Sequence, residues 1–149
     1  MTAFYEKLIR PVLFRTDPER MHNASIRACE LAGNHSLACR WASRLWSYRD
    51  DRLRQNIAGI AFENPLGVAA GYDKNGRAIR YVLFAAGGVF APEDAYRKIR
   101  LGASLVQLYT GLIYRGPGIV RDVLAGLARL LERDGFANVA EAVGADFRM

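Results

Sequence analysis

The chain has 149 residues, of which 51% are hydrophobic, so it can bury one core and is unlike a disordered chain. No run of about 20 apolar residues could cross a membrane as a helix, and charged residues interrupt the first apolar run, unlike a secretion signal. The net charge of +6 does not indicate nucleic-acid binding, because the basic residues are not interleaved with aromatic residues along one face.

Three helical segments are predicted in the first third of the chain. Apolar residues recur at three- and four-residue steps over residues 4–13, where Pro11 should bend or interrupt the helix. A second helix should begin at residues 16–19, which combine capping-box spacing, an aspartate able to cap and a proline tolerated in the first turn, and should end at Gly33. A third apolar stripe lies on Leu37, Trp41 and Leu45 and ends at the charged segment 48–52.

Charge and aromatic residues are concentrated in these helices. Residues 1–56 contain ten Lys and Arg against six Asp and Glu. The aromatic residues of the same segment are Phe4, Tyr5, Phe14, Trp41, Trp46 and Tyr48. This combination favours binding to an anionic membrane surface. The alternative is that the apolar stripes are simply part of the protein core, which would not require the charge surplus.

Beyond residue 56 the hydrophobic period changes to that of strands. Strands are predicted over 57–62 and 66–70, separated by a turn at 63–65, and over 81–86 and 104–109. Helices are predicted over 92–101 and 117–133. Strands that alternate with helices are typical of parallel βαβ units, so the predicted class is α/β.

The two cysteines do not indicate a metal site. Cys29 and Cys39 lie ten residues apart, without a CxxC motif or a pair of histidine partners. We interpret both as small apolar residues, and we predict neither a bound metal nor a disulfide framework.

Five segments together resemble the quinone-linked, membrane-associated dihydroorotate dehydrogenases. They are residues 16–22 (TDPERMH), 64–76 (NPLGVAAGYDKNG), 93–100 (EDAYRKIR), 102–111 (GASLVQLYTG) and 144–146 (GAD). The resemblance implies a (β/α)8 TIM barrel preceded by a helical extension that docks on the membrane and frames a tunnel for ubiquinone. Such barrels need about 250 residues, and 93 residues follow Asn56.

The resemblance therefore implies an incomplete barrel with strands 1, 7 and 8 and their helices. Residues 1–52 would be the membrane- and quinone-docking extension, and residues 53–149 the partial FMN-binding barrel. Strands 2 to 6 would be missing at a deletion junction near residues 79–86, because the string at 80–84 resembles neither flank of the family.

The resemblance also assigns binding roles to individual residues. Small residues would let the flavin of FMN approach the backbone, and loops after two strands would hold its phosphate. The FMN-binding residues would be Ala69, Ala70, Gly71, Gly87, Gly88, Tyr109 and Thr110. Lys74 would lie at the flavin and the substrate dihydroorotate, although such a lysine could also be a solvated loop residue. His22 and Tyr109 would line the ubiquinone tunnel, although His22 is equally compatible with a structural role.

The catalytic base of the family is absent from this sequence. The family removes a substrate proton with a loop serine, and the five serines here lie on predicted helices, a helix start or a strand start. They are Ser25, Ser36, Ser43, Ser47 and Ser104. A base must lie within about 3 Å of the proton it removes, or one water away, so no catalytic residue is assigned.

Three hypotheses follow from the sequence. The first is an internally deleted dihydroorotate dehydrogenase of pyrimidine biosynthesis, inactive alone and peripheral on the cytoplasmic side of a bacterial inner membrane. The second is a non-catalytic membrane-surface or anion-binding protein. The third is an FMN-binding half-barrel that self-associates through its open sheet edges.

Overall fold

The N-terminal part of the chain is helical in the computed structural model. The structure describes residues 4–57, 59–68 and 88–147, apart from the side chains of residues 18, 22, 30, 33 and 68. A π-helical turn, Tyr5–Ile9, runs into α1, Arg10–Leu13. Helix α2 spans Pro18–Gly33, and α3 spans Ser36–Trp46.

Local signals in the sequence place the ends of these helices. Pro11 lies in the first turn of α1, where its missing N–H is tolerated, and the preceding turn is π-helical as an interruption predicts. The Asp17 carboxylate caps α2 by accepting a hydrogen bond from the Arg20 N–H at 2.9 Å. The Thr16 hydroxyl instead donates to the Val12 carbonyl at 3.0 Å, so Asp17, and not the Thr16 of the predicted capping box, caps the helix.

Four short strands follow a 3-10 turn at Asp51–Leu53. They are β1, Gln55–Ile57; β2, Ile60–Phe62; β3, Leu66–Val68; and β4, Val106–Leu108. Strands β1 and β2 pair antiparallel, with Ile57 opposite Ile60, so the single strand predicted over 57–62 is wrong. Gly59 has φ +80°, a conformation that glycine adopts without strain, and it lets the chain reverse within that apolar run.

The parallel pairing predicted for the second half is confirmed between β3 and β4. Leu66 pairs with Val106 and Gly67 with Gln107 in this ladder. Each sheet has two strands within the described ranges, and those ranges contain no closed barrel. The predicted strand at 81–86 and the junction at 79–86 lie outside the described residues, and self-association through sheet edges stays a prediction.

The other regular elements of the described C-terminal part are helices and a 3-10 turn. Helix α4 spans Pro92–Arg100, α5 Thr110–Arg115, α6 Gly118–Arg133 and α7 Val139–Ala142, and a 3-10 turn follows at Ala145–Phe147. The helices predicted over 92–101 and 117–133 correspond to α4 and α6. The chain is therefore an α/β protein, with a helical N-terminal part and short strands packed among helices.

The core lies between α4, α6 and the parallel strands. Gly126 of α6 has no side chain where the Pro92 ring of α4 makes its contact, which lets the two helices approach closely. The large buried side chains of this core are Leu53, Leu66, Val89, Ile99, Val106, Leu108, Ile119, Val123, Leu124, Leu127, Leu131 and Val139. Of the described side chains of α2 and α3, only Ile26 is buried, so the N-terminal helices contribute little to this core.

Asp134, which follows α6, connects three parts of the C-terminal region. Its carboxylate accepts hydrogen bonds from the Arg133 guanidinium at 2.7 Å and the Tyr96 hydroxyl at 2.6 Å, and it pairs with Arg100 at 3.0 Å. Arg100 also pairs with Asp146 at 2.5 Å. Arg133, then Tyr96, hold the pKa of Asp134 far below its usual value, and burial, then the bond to Asp134, raises the pKa of Tyr96 to about 12.

This network predicts a loss of stability in acid. Because the pKa of Asp134 is lower in the folded than in the unfolded chain, its contribution is complete above the unfolded value of 3.8 and is lost as the pH falls below it. We expect the urea midpoint to decrease from about pH 5 to about pH 2, and Asp134→Asn to reduce that decrease. Asp122→Asn, an exposed change on α6, is the control, and an equal acid dependence in both variants would contradict the prediction.

Candidate functional site

The two predicted phosphate-binding turns meet in the structure. Gly111 lies in the first turn of α5, directly after β4, and a Cβ atom on it would collide with the backbone carbonyl oxygen of Val89. The same Cβ atom would lie 2.9 Å from Cδ1 of Ile119. The turn at residues 88–89 therefore packs directly on the start of α5, an approach that only glycine permits.

The backbone at Gly88 is bent and open. Gly88 has φ +73°, the left-handed region that favours glycine, and it is exposed. Beyond it, the Asp94 carboxylate accepts hydrogen bonds from the N–H groups of Phe90 and Ala91 at 2.9 and 3.0 Å. Asp94 thus holds the turn against the first turn of α4, and Nζ of Lys98 lies 3.8 Å from the point that a Cβ of Gly88 would occupy.

The N-terminal segment docks beside these turns. The Tyr5 hydroxyl donates to the Ile113 carbonyl at 2.7 Å. The Tyr5 ring covers Gly116, which has φ +71° and would place a Cβ 2.5 Å from that ring. The rings of Phe14 and Tyr114 add a tilted contact with centroids 5.1 Å apart.

Arg115 joins the N-terminal segment to the turn that follows Gly88. Its Nη1 donates to the Phe90 carbonyl at 2.6 Å, and its Nε lies 3.4 Å from the Glu6 carboxylate. The guanidinium therefore bridges residues 84 positions apart in the sequence. Neither this bridge nor the Tyr5 contact has a local signal in the sequence, because each depends on distant segments that meet only after folding.

The predicted binding residues are only partly within the described structure. Tyr109 precedes α5 and is 44% exposed, and Thr110 begins α5 and is half-buried. His22 belongs to α2, but its side chain is outside the description. The predicted residues that lie outside the described ranges altogether are Ala69, Ala70, Gly71, Lys74 and Gly87.

All five serines lie in the described ranges, and each belongs to a helix or flanks an element. Ser25, Ser36 and Ser43 belong to α2 and α3. Ser47 caps the C-terminal end of α3, where its hydroxyl donates to the Ser43 carbonyl. Ser104 precedes β4, and its carbonyl accepts a hydrogen bond from the Gln55 side chain. None of them is on the turns at 88–89 and 109–111.

The described part of the chain offers neither a metal-binding cluster nor a membrane-spanning helix. The described side chains include no group of three or more His, Cys, Asp or Glu residues that could hold a metal ion. None of the helices that the structure describes is long and apolar enough to span a membrane.

Comparisons with known proteins agree with the family named by the sequence motifs. A family model described as dihydroorotate dehydrogenase matches residues 79–131. A dihydroorotate dehydrogenase (quinone) from Halobacterium salinarum strain R1 is 40% identical over 146 residues, which is 91% of this chain and 40% of that protein. A protein of the same name from Anaeromyxobacter dehalogenans strain 2CP-C is 64% identical over 69 residues, 46% of this chain and 19% of that protein.

A solved structure is similar to about half of this chain. The ligand-free type DHODH from Eimeria tenella is 38% identical, with a TM-score of 0.42, over 54% of this chain and 22% of that chain. The chain spans between about one fifth and two fifths of the length of the curated relatives named above. The motifs, the matched family model and the identity to relatives over most of the chain lead to one conclusion: the chain is similar to the quinone-type dihydroorotate dehydrogenases over part of their length.

Proposed function

We propose that this chain carries the FMN-phosphate and membrane-facing parts of a quinone-linked dihydroorotate dehydrogenase but does not turn over dihydroorotate alone. The observation that carries the proposal is the packing of the 88–89 turn on Gly111. In (β/α)8 barrels, the loops after the seventh and eighth strands commonly form a phosphate site. The parallel pairing of β3 with β4 supports a partial barrel, because the first and last strands of a closed barrel are neighbours.

The two turns fit the phosphate end of FMN. Gly88 has no side chain and a positive φ, so an anion can approach its backbone, and the turn that carries Tyr109 and Thr110 lies beside it. Bound FMN would supply the redox chemistry, because its flavin would accept a hydride from dihydroorotate and pass the electrons on to ubiquinone. By resemblance, Gly87 would complete the phosphate site. Other FMN and substrate contacts would come from Ala69, Ala70, Gly71 and Lys74.

The docking of the N-terminal segment supports a quinone path near Tyr109. Tyr5 bonds to Ile113 and covers Gly116, so the helical segment lies against the residues that follow Tyr109. Tyr109 is partly exposed and keeps an aromatic ring available to a hydrophobic ligand. By resemblance, His22 would line the same ubiquinone path from the helical side.

The proton-transfer step lacks a base. A general base must reach the proton that it removes, and the serines of this chain lie on or beside helices and before β4. Binding of FMN without oxidation of dihydroorotate is therefore the expected behaviour. The family's complete activity in pyrimidine biosynthesis would require the barrel units that this chain lacks.

Flavin content and turnover test this proposal. We expect the purified chain to bind FMN, and to form no orotate from dihydroorotate with a soluble quinone analogue. Gly88→Val should abolish FMN binding, whereas Gly102→Val should retain it, because both glycines have positive φ but only Gly88 lies at the turns. Binding would be measured by flavin fluorescence. Failure of the unchanged chain to bind FMN would contradict the proposed cradle, and orotate formation would contradict the missing base.

The exposed apolar face of the N-terminal helices supports a peripheral membrane location. Leu37 and Trp41 of α3 are 63% and 64% exposed, and Leu31 of α2 is also exposed. Arg40 and Arg44 are exposed on the same helix. Amphipathic helices that combine exposed aliphatic and aromatic groups with arginines bind anionic lipid surfaces, and the cytoplasmic leaflet carries such lipids.

Binding to vesicles tests the membrane proposal. We expect the chain to sediment with vesicles that contain phosphatidylglycerol, and to bind less as salt is raised, because part of the attraction is electrostatic. Trp41→Ala should weaken the partition coefficient by about tenfold, the effect of losing most of a buried side chain's transfer free energy. Phe147→Ala, the change of another well-exposed aromatic residue, near the C-terminus, is the control. Equal binding of the two variants would argue against docking through α3.

A further inference from the structure

We infer that Lys98 is a specificity residue of the turn at Gly88, where its ammonium group selects a ligand that carries a phosphate. The inference rests on the proposed function and deepens it. The Nζ atom of Lys98 lies 3.8 Å from the point that a Cβ of Gly88 would occupy. An anion that approaches Gly88 on the side where a Cβ would project therefore meets this ammonium group.

The position of Lys98 is set by a packed helix. Lys98 belongs to α4, whose Ala95, Tyr96 and Ile99 are buried in the core. Its carbonyl accepts a hydrogen bond from the Ala103 N–H at 3.0 Å, which fixes the C-terminal end of the helix. The side chain is exposed, so the ammonium group stays accessible to a ligand in solution while its backbone is held.

The charge of Lys98 is available, in contrast to the charges of Arg115 and Arg100. Arg115 is engaged with Glu6 and the Phe90 carbonyl, and Arg100 is engaged with Asp134 and Asp146. Within the described ranges, no carboxylate forms an ion pair with Lys98. Asp94, the acid in the first turn of α4, already accepts the N–H groups of Phe90 and Ala91.

A phosphate monoester suits this arrangement better than a neutral group. It carries close to two negative charges near neutral pH, with a second pKa of about 6, and offers three acceptor oxygens. The turn supplies backbone that an oxygen can approach, and Lys98 supplies the compensating charge. The ammonium group should therefore distinguish FMN from riboflavin, which has the same ring system and no phosphate.

A comparison of two ligands and three variants tests this inference. FMN and riboflavin are titrated into the full chain and into Lys98→Gln, Lys98→Arg and Arg97→Gln, and flavin fluorescence gives each Kd. We expect Lys98→Gln to weaken FMN binding by about tenfold or more, the usual effect of losing a charge-assisted hydrogen bond, and to leave riboflavin binding unchanged. Lys98→Arg should restore most of the preference, and Arg97→Gln, an exposed change beside it, should keep it.

The salt dependence of FMN affinity is a second measurement, and a purely structural role of Lys98 would leave it unchanged. The decrease of FMN affinity with added salt should be smaller in Lys98→Gln than in the unchanged chain, because one charge contact is lost. If the unchanged chain prefers FMN and Lys98→Gln keeps that preference, the role of Lys98 is overturned while the proposed cradle stands. If the unchanged chain does not prefer FMN to riboflavin, the phosphate cradle itself is overturned.

Discussion

Replacing Gly111 with alanine is expected to lower the free energy of unfolding by about 2 kcal/mol or more and to weaken FMN binding with it. The added methyl group would collide with the backbone carbonyl of Val89 and would lie 2.9 Å from Cδ1 of Ile119. A backbone carbonyl cannot rotate away as the end of a side chain can. The turn at 88–89 must therefore move away from α5, which separates the two halves of the proposed phosphate site.

Gly135→Ala is the matched control for this variant. Gly135 has φ +78° and open space where its Cβ would be, so its substitution carries about 1 kcal/mol or more of backbone strain without a collision. Urea unfolding of both variants distinguishes the effect of a steric collision from that of backbone strain. Flavin titration then shows whether FMN affinity falls in the variant with the collision. Unchanged FMN affinity in a folded Gly111→Ala variant would contradict the proposal that this contact forms the site.

Leu127→Ala is expected to lower the free energy of unfolding by about 2–5 kcal/mol, because it removes a fully buried side chain from the centre of α6. Leu127 is 0% exposed and belongs to the cluster that joins α6 to α4 and the parallel strands. The surrounding helices close such a cavity only in part, so lost packing adds to the lost burial of the side chain. Few single substitutions in this chain should lower the free energy of unfolding by more.

Urea midpoints for Leu127→Ala and Leu37→Ala measure this effect. Leu37 is 63% exposed on α3, so the same substitution there should change the free energy of unfolding by no more than about 0.5 kcal/mol. Comparable losses at the two positions would mean that α3 is buried in solution, against another part of the chain or a second copy. That outcome would also count against an exposed membrane-docking face.

The contrast between Leu127 and Leu37 shows what a local sequence pattern can predict about the fold. The helical period predicts α3 and α6 equally well, since each carries an apolar stripe at the same spacing. Only α6 has its stripe fully buried, because α4 and the parallel strands cover it. An apolar stripe therefore predicts a helix, but it does not say what covers that helix.

The hairpin at β1 and β2 shows where local pattern fails. Residues 57–62 form one apolar run, which favours a single strand. The chain instead reverses at Gly59, whose positive φ allows a tight turn inside the run. A glycine inside a strand pattern is compatible with either outcome, and the decision depends on pairing with neighbouring segments.

The amino-acid sequence alone determined the family resemblance, the helical ends at Asp17 and Gly33, and the candidate phosphate turns at Gly88 and Tyr109, because caps, glycines and motifs are local features. The tertiary structure decided which distant residues meet: Val89 on Gly111, Arg115 between Glu6 and Phe90, and Lys98 beside Gly88. The physical reason is that a close contact depends on how helices and strands pack, and packing arises from the burial of many side chains at once rather than from the residues that finally touch.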